Sequence, residues 1–352
     1  STALLREFHQ KGVQPSLFTV GQIDLNTQEI SSDFSKWIES CVKKSFKEHD
    51  RNTPIFKLWH LNQDSLTSFS KDQTLFTFHE LDEPTPLELN IARNQKRLIV
   101  SSNYTKEIFE ANGITNCSFV PLGFDKHNFA SKNQQYLEGK IVFNLTGKLE
   151  KRKHHKGVIQ AWLKKYGNNK DYVLQCAIAN PFIKEDDFKV LVSRILGEKK
   201  YFNVNFLGMM QKNILYNDFL NSGNIIIGMS GAEGWGLPEF QSVALGKHAV
   251  ILNATAYKEW ATHENSVLVE PNGKTEAYDG VFFKKGGDLN QGNIYTFDED
   301  DFIEGCEKAI ERFKDRKNNK RCLNTFMNTP KRENKLAHGK AFTRNTFTKL
   351  ME

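Results

Sequence analysis

The chain has 352 residues, of which 39% are hydrophobic and 26% are charged, and its formal net charge is +6. These values predict a soluble globular protein of two domains, and they exclude a helical membrane protein because no apolar run approaches the roughly 20 residues that cross a bilayer. No secretory signal is visible, and five scattered cysteines form neither a metal spacing nor a disulfide framework, so the expected location is the reducing cytoplasm. These cysteines are Cys41, Cys117, Cys176, Cys306 and Cys322.

The N-terminal part of the chain alternates between helix and strand patterns. Apolar spacing predicts helices over 4–8, over 32–47 and from about 105 to 113. Short apolar, β-branched runs predict strands over 17–20, 55–59, 75–78, 98–100 and 118–120. Alternation of this kind predicts a parallel, doubly wound sheet.

A polar stretch over 130–139 predicts a linker, and a second alternating series follows it. Strands are predicted over 141–145, 172–177, 204–207, 225–227, 249–252 and 267–269. Helices are predicted over 158–163, closing near Gly167, and over 302–313. Ligands of such sheets bind beyond the carboxyl ends of the strands, so the loops that follow strands are the candidate sites.

One glycine-rich loop follows the strand over 225–227 and leads into a helix that Gly246 ends. Its glycines, at 231, 234 and 236, let an anion approach the backbone, and the following helix N-terminus favours negative charge. Glu233 would repel a lone anion, so we expect it to accept hydrogen bonds from a neutral polyol. Phosphate and polyol together indicate a nucleotide-sugar, and the alternative is a tight turn with a surface glutamate.

Basic residues crowd the C-terminal end, and this pattern is typical of a solvated face or of a patch for nucleic acid or a membrane surface. They are Arg312, Lys314, Arg316, Lys317, Lys320, Arg321, Lys331, Arg332, Lys335, Lys340, Arg344 and Lys349.

Five motifs in order resemble those of family 4 of the retaining glycosyltransferases, which has the GT-B fold. They are Thr77-Phe78-His79; Val100-Ser101-Ser102; Val120-Pro121-Leu122-Gly123-Phe124-Asp125 with Phe129; Gly147-Lys148 through Arg152-Lys153 with Gln160-Ala161-Trp162; and Glu233-Gly234-Trp235-Gly236-Leu237-Pro238.

This resemblance implies an α/β protein with two Rossmann-like, doubly wound parallel-sheet domains facing a central cleft. The expected parts are an acceptor-side domain over 1–133, a nucleotide-sugar domain over 134–330, and a basic helical segment over 331–352 that crosses back to the first domain. The implied activity is retaining transfer of a sugar from a nucleotide-diphosphate sugar to a hydroxyl of a glycan, a lipid-linked sugar or a small molecule. Neither a cofactor nor a metal is implied, and the donor is the expected partner.

The same resemblance assigns roles to residues. Arg152 and Lys153 face the diphosphate, with Lys148 as a secondary candidate, and His79 lies across the cleft near the reacting carbon. Glu233 accepts hydrogen bonds from the donor sugar. The donor-binding set is completed by Gly234, Trp235, Gly236, Leu237 and Gln241. We expect His154 and His155 on the surface, while Glu80, Asp82 and Glu83 are placed to orient an acceptor hydroxyl.

Two departures from the family pattern keep alternatives open. Gln241 stands where the family has a second glutamate, and Glu239 lies on a different part of the helix surface. The strand and glycine-rich loop that usually open the first domain are absent, so that domain is expected to be truncated or reduced. One alternative is a phage-type enzyme whose acceptor is a hydroxymethylated base in DNA, bound through the basic C-terminal residues. The other is a GT-B protein that binds a sugar nucleotide or glycan without turnover.

Overall fold

The computed structural model describes residues 2–21, 23–27, 31–48, 50–132 and 136–315. The predicted domain boundary at 133/134 and the predicted basic segment over 331–352 lie outside the described residues. Most of the basic residues at the C-terminal end lie outside them as well. Among the described helices, none is both long and apolar enough to cross a membrane.

The N-terminal half carries a sheet of four parallel strands in the order β1-β2-β3-β4. Its elements are α1 (Thr2–Gln10), α2 (Ser32–Lys47), β1 (Ile55–Leu58), β2 (Gln73–Thr77), α3 (Pro86–Arg93), β3 (Arg97–Val100), α4 (Asn103–Ala111) and β4 (Cys117–Phe119). Helix α2 begins where the side chain of Ser31 accepts a hydrogen bond from the N–H of Phe34. Its apolar face is buried at Phe34, Ile38 and Cys41.

The predicted strand over 17–20 is wrong. No strand forms there, and the N–H of Leu17 donates to the carbonyl of Cys41 at 3.0 Å. Residues around Leu17 therefore run along α2 instead of pairing in the sheet. Helix α3 was not predicted, although Thr85 and Glu88 form a capping box at its start and Pro86 occupies its first turn.

The C-terminal half carries six parallel strands in the order β10-β9-β8-β5-β6-β7. Its strands are β5 (Ile141–Lys148), β6 (Tyr172–Ala179), β7 (Val204–Phe206), β8 (Ile225–Gly228), β9 (His248–Leu252), β10 (Val267–Val269), β11 (Gly273–Glu276) and β12 (Asn293–Thr296). Its helices are α5 (His155–Tyr166), α6 (Glu185–Leu196), α7 (Asn213–Ser222), α8 (Leu237–Ala244) and α9 (Glu299–Lys314). The strand order reverses between β5 and β8, and a crevice opens at such a switch point.

A large apolar core fixes the two strands that flank this switch point. Phe143 and Leu145 of β5, Ile227 of β8, and Trp162 of α5 are all buried in it. The four described cysteines, Cys41, Cys117, Cys176 and Cys306, are buried and unpaired. Burial raises the pKa of the Cys117 thiol to about 11, so it stays a protonated, apolar filler.

An antiparallel hairpin, β11–β12, was not predicted, and it joins the two halves. Lys274 of β11 pairs with Asp82 at 2.7 Å, and the N–H of Asn293 donates to the same carboxylate at 2.7 Å. In the loop between the strands, the N–H of Asn290 donates to Glu88 at 2.9 Å. Leu81 packs with apolar residues of the hairpin and its loop. The hairpin therefore links the two halves through residues 81–88.

Candidate functional site

The glycine-rich loop follows β8, whose four residues are all buried. Gly236 precedes α8 with a φ of +77°, and a Cβ there would lie 2.2 Å from the ring of Tyr257. A Cβ on Gly231 would lie 2.2 Å from the carbonyl oxygen of Tyr295. Glycine is required at both positions, because one needs the left-handed backbone region and both are in close backbone contact with a neighbour. The loop is thus rigidly placed at the N-terminus of α8.

The second loop follows the neighbouring strand β5 and makes a short 3-10 turn over Lys151–Lys153 before α5 begins. Although this stretch is basic, its charged side chains do not all reach water. Glu150, Arg152 and Lys153 are each less than a tenth exposed. Charges are buried in this way only when they are paired, so the loop must hold counter-charges nearby.

Those counter-charges come from the glycine-rich loop and from the N-terminal half. The guanidinium of Arg152 donates from Nη1 to Glu233 Oε1 at 3.0 Å and to the carbonyl of Ala232 at 2.7 Å. Its Nε donates to Glu150 at 3.0 Å and lies 3.2 Å from a carboxylate oxygen of Glu80. The ammonium of Lys153 forms an ion pair with the same oxygen of Glu233. The structure therefore brings Arg152, Lys153 and Glu233 together at the switch point.

The carboxylates of this cluster titrate differently. Burial alone would raise the pKa of Glu233, but Lys153 and Arg152 outweigh burial and hold that pKa below its ordinary value. Burial raises the pKa of Glu80, Arg152 opposes this rise, and the negative charge of Glu233 adds to it. The pKa of Arg152 is raised because the carboxylates outweigh its burial. Glu233 is thus the firmly ionised partner, and Glu80 is the more easily protonated one.

Strand ends of the N-terminal half border the same loop. The side chain of Ser101, after β3, donates to the carbonyl of Gly234 at 2.5 Å. A Cβ on Gly234 would lie 3.0 Å from the Cβ of Phe78, which follows β2. Asn103, at the start of α4, donates to Glu259 of the other half at 2.6 and 2.9 Å. The candidate site therefore lies where the two halves of the chain meet.

No protein-family model matches the chain, and no curated protein matches it. Solved structures do match. HepE from Anabaena in complex with UDP-glucose is 18% identical over 61% of this chain and 65% of that chain, with a TM-score of 0.50. Sucrose-phosphate synthase from Thermosynechococcus elongatus is 14% identical over 83% and 74%, with a TM-score of 0.56, and OtsA is 12% identical over 84% and 75%, with a TM-score of 0.55.

The chain has the GT-B fold. The predicted fold class, α/β with parallel sheets, is confirmed by these neighbours, which are GT-B glycosyltransferases, and by the two sheets. At such low identity the likeness concerns the fold alone. The matched region spans slightly less than two thirds of the HepE chain.

His79 lies in the N-terminal half of this GT-B fold, at the end of β2, and it is 4% exposed. Its Nδ1 lies 3.9 Å from Glu88, and its ring meets Phe109 edge-on at 5.1 Å. Burial lowers its pKa against the opposing effect of Glu88, so the ring is neutral at neutral pH. Among the described residues, its buried Nε2 has no hydrogen-bond partner. The next residue, Glu80, and not the His79 ring, contacts Arg152.

Lys148 does not join the Arg152 cluster directly. Its ammonium lies over the rings of Phe182 and Phe282, at 5.2 and 5.3 Å from their centroids. It is also 3.9 Å from Glu150, whose other oxygen accepts from Arg152. Lys148 therefore lies at the rim of the site, next to two exposed phenyl rings.

The remaining predicted donor-binding residues lie on or just before α8. Trp235 is a core residue, because its side chain is 4% exposed and packs edge-on against Phe240 at 5.4 Å. Leu237 is 44% exposed and Gln241 is half-buried. These two lie four residues apart, so they share one face of the helix.

Several expectations about polar residues were wrong. His155 was expected on the surface but is 2% exposed, and its Nε2 lies 2.9 Å from the carbonyl of Thr146. Burial and the nearby Lys153 lower its pKa to about 3. His154 is half-buried, with its Nε2 2.8 Å from a backbone carbonyl. Glu239 was expected on the helix surface but is 2% exposed, and burial raises its pKa to about 7.

Glu80 and Glu150 were not predicted as partners of Arg152. Glu150 stands two residues before Arg152, and Glu80 directly follows a strand-end histidine. The only local signal for these contacts was that a carboxylate lies next to each of the two motifs. Pairing across the two halves depends on long-range packing, which residue spacing does not encode.

Proposed function

We propose that this protein transfers a sugar from a nucleoside-diphosphate sugar to an acceptor hydroxyl, with retention of configuration at the anomeric carbon. The observation that supports this most directly is the buried meeting of Arg152 and Lys153 with Glu233 at the N-terminus of α8. The two cations and the helix N-terminus match the diphosphate of such a donor, and the carboxylate matches the hydroxyls of its sugar. Similar GT-B structures are complexes with UDP-glucose and with UDP.

In this proposal the diphosphate binds to Arg152, to Lys153 and to the backbone N–H groups at the start of α8. Glu233 accepts hydrogen bonds from the sugar hydroxyls, and Gln241 on the exposed face of α8 reaches the ribose. Lys148 at the rim supplies a further cation. A buried guanidinium and ammonium stabilise the charge of the leaving diphosphate more strongly than exposed ones, because less water screens them.

The bond from the anomeric carbon to the diphosphate oxygen breaks, and its electron pair leaves with the diphosphate. The acceptor oxygen forms the new bond on the same face of the sugar, and its proton passes to the leaving phosphate. No carboxylate pair flanking the bond is needed, unlike in most glycosidases. We place His79 beside the donor sugar, with its unpartnered Nε2 as the group that contacts it.

Cationic side chains supply the charge in this scheme, so we propose that transfer needs no metal. Within the described residues, no three His, Cys, Asp or Glu side chains are arranged to hold a metal ion. Activity measured with and without a chelator tests this part. Loss of activity with the chelator, restored by a divalent cation, would contradict it.

The test of the function as a whole starts with thermal unfolding in the presence of UDP-, GDP- and ADP-sugars. Binding should raise the unfolding temperature for at least one of them, because a ligand that binds only the folded state stabilises it. The selected donor should then be slowly hydrolysed, with release of the nucleoside diphosphate. Hydrolysis that persists unchanged in both Glu233→Ala and Arg152→Ala would show that the reaction takes place elsewhere.

A further inference from the structure

Arg152 is surrounded by more negative charge than one guanidinium can neutralise. Three carboxylates, from Glu80, Glu150 and Glu233, lie within 3.2 Å of its nitrogens. Lys153 is the second cation of this cluster and is paired with Glu233. Lys148 lies 3.9 Å from Glu150 and is a third cation, so three cations face three carboxylates and no positive charge is left over for an incoming anion.

Such a cluster is poorly suited to receive a diphosphate as it stands. A donor brings further negative charge, and like charges at short range repel strongly where water is excluded. The phosphate oxygens also need the same guanidinium hydrogens that the carboxylates already occupy. At least one carboxylate must therefore leave Arg152 or lose its charge when the donor binds.

The three carboxylates differ in how easily they can leave Arg152 or lose their charge. The side chains of Glu150 and Glu233 are 2% and 7% exposed, and both belong to the half that carries Arg152. Glu80 is 24% exposed, belongs to the opposite half and contacts the guanidinium through one oxygen at 3.2 Å. Glu80 is thus the carboxylate nearest to water, and a single contact from the opposite half joins it to Arg152.

We propose that Glu80 is a charge gate for the donor site: a nucleoside diphosphate replaces the Glu80 carboxylate on Arg152, and Glu80 takes up one proton in that step. This inference rests on the proposed function and adds a residue of the N-terminal half to donor binding. It assigns Glu80 as a positioning residue that controls access to Arg152.

The charged groups with the largest effect on the pKa of Glu80 belong to the C-terminal half, and they set the sign of the pH dependence. Arg152 and Lys153 favour its ionised form, whereas Glu233, Glu150 and burial favour its protonated form. The balance raises the pKa of Glu80, and a bound diphosphate raises that pKa further. The donor therefore binds best at low pH, and its affinity falls as pH rises from the pKa of free Glu80 towards the pKa of Glu80 in the complex.

The experiment is calorimetric titration of the wild-type protein with UDP-glucose, GDP-mannose and ADP-glucose in two buffers of different ionisation enthalpy. These donors carry diphosphate diesters, which do not titrate near neutral pH. We expect net uptake of protons when the donor binds, and an affinity that falls as pH rises. Release of protons, or no exchange, would overturn the charge gate. This measurement needs no variant, so it stands even if a substituted protein fails to fold.

Two variants sharpen the result. In Glu80→Gln the donor no longer has to displace a charged group, so affinity at the highest pH measured should rise about tenfold and the proton uptake should vanish. Glu276→Gln is the matched control, because Glu276 is an exposed carboxylate paired with Lys285 and should change neither quantity. Weaker donor binding in Glu80→Gln would show that Glu80 holds Arg152 in place, and would overturn the gate.

The outcomes also separate the two proposals. If none of the three donors binds at about 1 mM, both the proposed function and the charge gate are wrong. If a donor binds and is hydrolysed but no proton is taken up, the proposed function stands and only the charge gate is wrong.

Discussion

The two sides of the candidate site are built differently. On the C-terminal side, Arg152, Lys153 and Glu233 are each less than a tenth exposed and bind chiefly one another. On the N-terminal side, Glu80 and Asp82 are 24% and 15% exposed, and each contacts a cation of the other half. The C-terminal half thus assembles a charged cluster of its own, to which the N-terminal half adds single groups. Changes on the C-terminal side should therefore abolish function, while changes on the other side should adjust it.

The largest effect is expected from Glu233→Ala. The variant removes the carboxylate that the sugar would contact and leaves Arg152 and Lys153 buried with less counter-charge. Donor hydrolysis should fall at least about a hundredfold. Release of nucleoside diphosphate measures the loss, and near-native unfolding behaviour of the variant is the required control. A loss of less than about threefold would break the contrast between the two sides.

Gly236→Ala should cause the next largest effect, on stability. The new Cβ would lie 2.2 Å from the ring of Tyr257 in a backbone conformation with φ of +77°. We expect the free energy of unfolding to fall by about 2–4 kcal/mol, measured by urea denaturation.

Gly280→Ala is the matched control for this change. Gly280 has a φ of +75° with nothing within 4 Å of the added Cβ, so it measures the backbone cost alone. That cost should be about 1 kcal/mol. Equal losses in the two variants would mean that the contact with Tyr257 does not fix the loop.

Glu239 gives the C-terminal side a pH-dependent stability. Burial raises its pKa from 4.5 to about 7 in the folded protein. The folded state therefore binds the proton more tightly than the unfolded state, so this contribution is fully present below about pH 4.5 and is lost as pH rises through about 7. In Glu239→Gln the free energy of unfolding should vary less between about pH 5 and about pH 8, by about 2–3 kcal/mol. Urea denaturation at both pH values measures this, and an unchanged pH dependence would contradict it.

The smallest effect is expected from Lys148→Ala. Its ammonium is exposed and lies over two phenyl rings, so water screens much of its charge. The KM for the donor should rise less than about fivefold, with kcat unchanged. Lys153→Ala, which removes a buried cation, is the comparison and should lower kcat far more. Equal effects of the two substitutions would indicate that the diphosphate binds close to Lys148 at the rim of the site.

Local pattern predicted much of the fold. Helix α2 was predicted over 32–47 and forms over Ser32–Lys47, because a capping serine and an apolar stripe define it locally. The six parallel strands of the C-terminal half were each predicted from a short apolar run. Helices α6 and α7 were not predicted. In α6 the apolar residues Phe188, Val192, Ile195 and Leu196 recur at helical spacing, so a local signal for this helix was present and was missed.

The site was predictable in its parts but not in its pairing. The glycine-rich loop and the basic loop each follow a buried strand, and that local signal located Arg152 and Glu233. The carboxylate of Glu80 meets Arg152 only because two separate sheets pack together, and the hairpin β11–β12 is mostly polar and exposed at β11. The predicted strand over 17–20 is wrong because the apolar run there lies along a helix and does not enter a sheet.

The β11–β12 hairpin also has a consequence for the order of events on the ribosome. Glu88 and Asn290 are joined by a hydrogen bond although 202 positions separate them in the chain. While the N-terminal sheet is being translated, the segment that will cover Leu81 and neutralise Asp82 does not yet exist. The nascent N-terminal half therefore emerges with an acidic, partly apolar edge that stays uncovered until residues 274–294 follow.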